Sequence, residues 1–152
     1  MTIIEPGASA GLIDRVKNIL MQPRAEWDRI AAERPSLNAL LMGYVLPLAA
    51  LGAIASFIGL SFIGVGAFGY SYKVPLVAGL VGAVIQVVMA LVSVWVLGLI
   101  IKALAPSFGS EPDQVRANQL AAYSSTAGFI GALFTILPAL SIIALVCGIY
   151  SL

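Results

Sequence analysis

The sequence predicts an all-α fold: a polytopic transmembrane bundle of about four hydrophobic helices, preceded by amphipathic helices at the membrane interface. First, 61% of the 152 residues are apolar and 10% are charged, whereas about a quarter of the residues in soluble domains are charged. Second, the stretches 35–72, 74–101 and 117–152 contain no charged residue. Third, ten of the 15 charged residues (8 basic plus 7 acidic) lie within residues 1–34. We therefore predict a cytoplasmic and interfacial segment over 1–34 and a transmembrane domain over 35–152.

The N-terminal segment has the periodicity of two short amphipathic helices. Apolar residues recur at positions i, i+4, i+7 and i+8 of the first helix, namely at Leu12, Val16, Ile19 and Leu20. Pro23 suits the first turn of a second helix, in which Trp27 and Ile30 share a face. These helices are either a module that docks on lipid or on a partner, with Trp27 as an anchor, or a topological anchor packed against the cytoplasmic end of the bundle.

The charge-free stretches set the predicted membrane helices, because a span needs about 20 apolar residues. The first stretch is too long for one span and ends in a group of glycines, so we predict a helix over 37–60 followed by a loop at the membrane surface. Pro75 begins a second helix over 75–101. Pro138 divides the last stretch into helices over 117–137 and 139–152. The final helix is about 21 Å long, too short to cross a ~30 Å hydrocarbon core alone, so we expect it to pack on the third helix or on another chain.

The distribution of basic residues predicts the orientation of the spans, because Lys and Arg favour the cytoplasmic side. With the N-terminus inside, seven of the eight basic residues lie on that side, and only Lys73 lies outside. Two of the seven, Lys102 and Arg116, belong to a polar loop after the second helix. Ser110 and Asp113 have the spacing of a capping box there, so we expect the third helix to begin within this loop.

The residue types exclude most enzyme chemistry. The chain has no histidine and one cysteine, Cys147, which excludes a disulfide framework, a His-based zinc or haem site and a Ser-His nucleophile. A proton relay or an aspartyl protease requires ionisable residues inside the membrane. The predicted spans contain no Asp, Glu, Lys or Arg. We therefore predict that the protein is not an enzyme and has no catalytic, cofactor-binding or metal-binding residue, no cofactor and no nucleic-acid partner.

A few residues inside the spans are candidates for interface or shape-determining roles. The polar candidates are Gln86, Tyr123, Ser124, Ser125 and Thr126. We expect them to form hydrogen bonds between helices, each contributing about 0.6 kcal/mol; the alternative is that they line a substrate path. Pro47 removes an N–H within the first helix and predicts a kink there.

Several segments, in this order and spacing, resemble the bacterial branch of the Yip1 family. The segments are 14–20, Pro23, 27–30, 43–47, 121–127, 137–140 and 148–152. The resemblance implies a compact multi-helix domain in the bacterial inner (plasma) membrane with a cytoplasmic N-terminus. Eukaryotic relatives bind Rab-type GTPases and act in vesicle trafficking, but the acidic N-terminal signature linked with that role has no match here. Family members continue into a fifth helix, so the resemblance implies that this chain lacks the last one.

Two functions are compatible with these features. The first is a non-catalytic membrane scaffold or adaptor of the Yip1 type, acting as an accessory subunit of a larger assembly or in membrane organisation. Its partners would be membrane lipids and either another protein or a second copy, contacted through the transmembrane helices. The alternative is a transporter or channel for a small molecule or a lipid.

Overall fold

A computed structural model describes residues 11–67, 70–137 and 140–151. The chain forms two compact units, Met1–Arg34 and Pro35–Leu152. This division falls where the charged N-terminal segment meets the first charge-free stretch. The cytoplasmic and transmembrane roles assigned to these regions from the sequence remain predictions.

The N-terminal unit contains two ten-residue helices, α1 (Leu12–Met21) and α2 (Pro23–Ala32). The chain turns at Gln22, and Pro23 fills the first position of α2, where its missing N–H removes no intrahelical hydrogen bond. The two helices contact each other. Arg15 of α1 and Glu26 of α2 are both buried and form an ion pair at 3.0 Å.

The first apolar stretch forms one continuous helical rod, Leu37–Ile63, called the first rod below. Its parts are α3 (Leu37–Leu40), a π-helical turn (Leu41–Val45), α4 (Leu46–Ile58) and a second π-helical turn (Gly59–Ile63). The first π-helical turn precedes Pro47, whose ring would clash with the Gly43 carbonyl in a regular α-helix. The wider turn relieves this clash, and the kink expected at Pro47 remains a prediction.

A short hairpin follows the first rod where the sequence predicted only a loop. Gly64 ends the rod with φ +84°, a conformation that favours glycine. Strands β1 (Val65–Ala67) and β2 (Tyr70–Tyr72) then pair antiparallel, with Val65 opposite Tyr72. Valine and tyrosine favour strands, a preference that the neighbouring glycines obscured in the sequence.

The second long helix is α5 (Leu76–Leu104), which has 29 residues and continues into a 3₁₀ turn, Ala105–Phe108. Together they form the second rod, Leu76–Phe108. Within the described part of the chain, the first and second rods are the two helices long and apolar enough to cross a membrane. The fold is therefore helical, as predicted, with two candidate spans, whereas a bundle of four spans remains a prediction.

The last apolar stretch differs most from the prediction. It forms α6 (Gln114–Ser124), α7 (Thr126–Leu133), a 3₁₀ turn (Phe134–Ile136) and α8 (Ser141–Tyr150). The helix expected over 117–137 is thus divided at Ser125, because hydroxyl side chains there bind backbone carbonyls and compete with helical hydrogen bonds. The predicted boundary at Pro138 and Ala139, like the chain end at Leu152, lies outside the described residues.

The cap of α6 is Asp113 rather than the predicted Ser110. Asp113 Oδ1 accepts a hydrogen bond from the Val115 N–H at 2.9 Å and a longer one from the Arg116 N–H at 3.5 Å. A carboxylate at this position satisfies N–H groups that have no intrahelical partner. The helix consequently begins inside the polar loop, as the sequence predicted. It is capped by the side chain of Asp113 and not by the predicted capping box of Ser110 and Asp113.

The two rods run antiparallel. A Cβ atom added to Gly52 of the first rod would lie 4.0 Å from Gln86 Nε2 of α5. Five residues further along the first rod, Phe57 Cδ2 would lie 3.1 Å from a Cβ atom added to Gly79 of α5. Residue numbers at these contacts therefore fall along α5 as they rise along the first rod. The first rod supplies much of the core, with Leu40, Tyr44, Val45, Leu48, Ala49, Ala53 and Ala55 buried.

Candidate functional site

The predicted polar residues of the last stretch lie where α6 meets α7, beside the first π-helical turn. We call Tyr44, Tyr123, Ser124, Ser125 and Thr126 the helix-break cluster. Tyr44 lies in the π-helical turn of the first rod, and the other four residues span the break at Ser125. Tyr44, Tyr123 and Thr126 are buried. The structure thus joins two irregular segments of backbone that are 82 residues apart in sequence.

Within the cluster, the hydroxyl groups of the break bind carbonyls of the preceding helix. Ser124 and Ser125 donate to the Ala121 carbonyl at 3.3 and 2.8 Å, and Thr126 donates to the Tyr123 carbonyl at 2.6 Å. These carbonyls belong to the last turn of α6, and the Tyr123 carbonyl also accepts the backbone N–H of Ser125. The predicted hydroxyl run therefore holds the break together instead of bonding only between helices.

Thr126 also links the break to the first rod. Its Oγ1 lies 2.7 Å from the Tyr44 hydroxyl, and because its own proton goes to the Tyr123 carbonyl, Tyr44 donates and Thr126 accepts. The Tyr44 and Tyr123 rings meet edge to face, with centroids 4.8 Å apart, a geometry that aromatic pairs favour. Nothing local in the sequence reveals this distant partner of Tyr44.

A second hydroxyl contact of the same kind lies further along both helices. Ser56 Oγ lies 2.8 Å from Thr135 Oγ1, and Thr135 donates to the Ala132 carbonyl at 2.6 Å. Ser56 is therefore the donor, as Tyr44 is in the helix-break cluster. Residue numbers rise together in the two contacts, so the first rod and α7 run parallel. Neither Ser56 nor Thr135 was singled out from the sequence.

The beginning of α7 receives a cap from the end of α8. Ser151 Oγ accepts a hydrogen bond from the Gly128 N–H at 2.7 Å. Gly128 is in the first turn of α7, where N–H groups lack intrahelical partners. A side chain distant in sequence thus performs the task that a residue just before α7 would ordinarily perform.

The other predicted candidates lie apart from the helix-break cluster. Pro47 is the second residue of α4, one helical turn beyond Tyr44. Gln86 is partly buried in the middle of α5, where it lies near Gly52 of the first rod. Trp27 belongs to the N-terminal unit, where it is partly buried on α2. The roles predicted for these three residues remain predictions.

Two glycines lie at close contacts between helices. A Cβ atom added to Gly59 would overlap the Thr135 carbonyl oxygen and would lie 2.9 Å from the Ile136 carbonyl oxygen. A Cβ atom added to Gly98 would overlap Asn118 Oδ1. The same Asn118 oxygen accepts a hydrogen bond from Gln114 Nε2 at 2.9 Å. Small residues allow membrane helices to approach this closely. Gly59 belongs to the group of glycines that ends the first charge-free stretch, whereas the sequence gave no signal for Gly98.

The N-terminal unit contains a charged cluster that the sequence did not indicate. Arg15 binds Glu33 through two hydrogen bonds of 2.7 and 2.8 Å and Glu26 through an ion pair of 3.0 Å. Arg29 lies 3.7 Å from the same Glu26. The planar guanidinium of arginine suits such two-pronged contacts with carboxylates. No local pattern pairs Arg15 with these carboxylates, because they follow 11 and 18 residues later.

The arrangement of the helix-break cluster is suited to fixing helices in position. A hydroxyl becomes a nucleophile when an adjacent base removes its proton, whereas the protons of Ser124, Ser125 and Thr126 are directed to backbone carbonyls. The cluster therefore stabilises an irregular backbone and connects it to the first rod. In a membrane this matters, because the hydrocarbon region offers no water to bind unpaired backbone groups.

Comparison with known proteins agrees with this structure. No curated protein and no solved structure matches the chain. The family description "Yip1 domain" matches residues 17–152, which include α2, both rods and the helix-break cluster. The family resemblance found in the sequence is thereby confirmed, without distinguishing its bacterial branch. With two helices apolar and long enough to cross a membrane and a match over most of its length, the chain belongs to the Yip1 domain family of membrane proteins.

Proposed function

We propose that this Yip1-family membrane protein is a non-catalytic scaffold or adaptor that associates with a partner protein, or with a second copy, through its transmembrane helices. The observation that carries the proposal is the surface of α5. Of its 29 residues, only Val94 and Gly98 are buried. Most of the remaining surface is large and apolar, including Leu80, Val84, Val88, Val92 and Trp95. This surface faces lipid or another membrane helix, and a scaffold uses it for the latter.

The interior supports the same proposal. The hydroxyls of Thr126 and Thr135 each bind one carbonyl and one hydroxyl. Polar networks with satisfied hydrogen bonds rigidify a structure and specify one arrangement. A rigid bundle with an extended apolar outer helix is well suited to organising other membrane components.

We further propose that the protein is multi-pass and lies in the bacterial inner membrane with a cytoplasmic N-terminus. The rods run antiparallel, so the start of the first rod and the loop at 109–113 belong to the same end of the second unit. This agrees with the seven-to-one distribution of basic residues. Cysteines at Ser71 and Ser110 in a Cys147→Ala background provide the test. Labelling of position 71, but not of position 110, from outside intact cells is expected, and the reverse pattern would exclude this orientation.

Photo-crosslinking through α5 tests the scaffold proposal. Trp95 and Phe108 are both exposed aromatic residues, so benzoylphenylalanine is a conservative replacement at either position. We expect position 95, within the apolar helix, to crosslink to one polypeptide in native membranes at near-stoichiometric yield. Position 108, in the 3₁₀ turn after α5, is the matched control and is expected to give no such product. Lipid adducts alone at position 95 would refute association through this helix.

The alternative function, a transporter or channel, is favoured by one observation. The break at Ser125 lies beside a π-helical turn, and discontinuous membrane helices form the binding sites of many transporters. A substrate bound there would stabilise the purified protein. Thermal melting with a panel of lipids and small metabolites therefore separates the two functions, since a scaffold is stabilised by its protein partner instead.

A further inference from the structure

The exposed side of α1 carries a stripe of residues with the chemistry of a lipid-docking surface. Ile13, Lys17, Leu20 and Met21 follow the spacing i, i+4, i+7 and i+8, and so they share one face of the helix. Ile13 is 81% exposed, Met21 is 70% exposed and Leu20 is 44% exposed. Three large apolar side chains on one exposed face are a candidate contact surface.

The charged cluster explains why this face points outward. Arg15 lies on the opposite side of α1, about 170° around the helix from the middle of the stripe, and it is buried in its contacts with Glu26 and Glu33. The orientation of α1 is thus fixed by the ion pairs within the N-terminal unit. The buried Arg15–Glu26 pair removes one charge of each sign from the surface of the unit.

We propose that this stripe, together with Arg24, docks on a membrane surface that contains anionic lipid. Lys17 lies in the middle of the apolar residues and Arg24 follows at the start of α2, and both are exposed. Neither forms an ion pair with any residue for which the structure gives a position. Apolar residues with interspersed Lys and Arg are typical of helices that lie at the lipid headgroups and bind anionic lipids.

A membrane fits this surface better than a protein partner does. Lysine is depleted at the centres of protein interfaces, whereas at a membrane surface its alkyl stem lies among apolar groups while its ammonium reaches the lipid phosphates. In addition, only residues 33–36 separate α2 from the first rod. This short connection to a membrane-spanning helix raises the effective concentration of lipid near α1.

The test uses the full chain in lipid nanodiscs. A bimane label at Met21→Cys in a Cys147→Ala background reports contact with lipid through quenching by brominated acyl chains. We expect strong quenching in discs of phosphatidylcholine with 30% phosphatidylglycerol, and weak quenching in phosphatidylcholine alone or in 1 M salt. Equal quenching in both lipids would overturn the proposal, since docking would then not depend on charge. No quenching in either lipid would also overturn it, since the face would then not contact lipid.

Two variants complete the experiment. Lys17→Gln with Arg24→Gln is expected to weaken docking about 25-fold, because each basic residue strengthens binding about five-fold. Lys73→Gln with Lys102→Gln removes the same charge from the other unit and is expected to leave docking unchanged. An equal loss in both pairs would show a nonspecific charge effect and refute the assignment. Because Lys17 and Arg24 are exposed, these changes leave the packing of the unit intact.

Discussion

Substitution of Gly59 by alanine tests the closest contact between the first rod and the end of α7. The added methyl group would overlap the Thr135 carbonyl oxygen and lie 2.9 Å from the Ile136 carbonyl oxygen. Both obstacles are backbone atoms, which cannot rotate away as a side chain can. Gly59 has φ −59° and ψ −48°, which alanine adopts freely, so the effect is one of packing alone.

The expected magnitude is the difference between two opposing effects. Alanine in place of glycine stabilises a helix by about 1 kcal/mol. Overpacking destabilises by about 1–3 kcal/mol, and we take the upper value because backbone must move. The net loss at Gly59 is therefore about 2 kcal/mol. Gly82 of α5 is the matched control, because nothing lies within 4 Å of its side-chain position, so Gly82→Ala should gain up to about 1 kcal/mol.

Unfolding of the purified protein in mixed detergent and SDS micelles gives the measurement. We expect the midpoint to fall for Gly59→Ala and to stay equal or rise for Gly82→Ala, a separation of about 3 kcal/mol between the variants. If Gly59→Ala were as stable as Gly82→Ala, the close approach of the first rod to the 3₁₀ turn after α7 would be refuted.

Three further substitutions address other contacts. Tyr44→Phe removes one buried hydrogen bond and should lower stability by about 1 kcal/mol in the same micelle assay; an unchanged midpoint would show that this bond contributes nothing. Arg15→Gln leaves Glu26 buried beside a more distant Arg29, so amide exchange in α1 and α2 should accelerate by an amount that corresponds to about 3 kcal/mol, whereas Asp28→Asn, at an exposed position of α2, should have no effect. Asp113→Ala removes the cap of α6 and should speed amide exchange in its first turn by an amount that corresponds to about 1 kcal/mol. Unchanged protection of these amides would exclude the cap.

The features predicted from the sequence are those set by local pattern. Apolar spacing placed the first amphipathic helix at Leu12, where α1 begins, and Pro23 marked the first residue of α2. Long charge-free stretches indicated the two rods, because crossing a membrane requires length and apolar composition. The ends of both rods extend beyond their predicted limits, to Ile63 and Phe108, since helix ends depend on local caps and turns.

The features that escaped prediction depend on partners distant in sequence. The Tyr44 hydroxyl meets Thr126 across 82 residues, and Arg15 meets Glu33 across 18. No local pattern distinguishes an arginine that will be buried by such a contact from one that remains solvated. The break at Ser125 was missed for a related reason: the apolar stretch continues through it, and the hydroxyls that favour it are also tolerated within membrane helices.

The irregular shape of the last stretch is thus encoded by hydroxyl residues. An unsatisfied backbone group in hydrocarbon costs several kcal/mol, so a break inside a membrane persists only when side chains bind what the helix leaves unpaired. Ser125 and Thr126 bind carbonyls before the break, and Ser151 binds an N–H after it. Thr126 also accepts a hydrogen bond from the Tyr44 hydroxyl, because its own proton goes to the Tyr123 carbonyl. The break and the contact with the first rod therefore share the Thr126 hydroxyl, so a change at this one residue affects both.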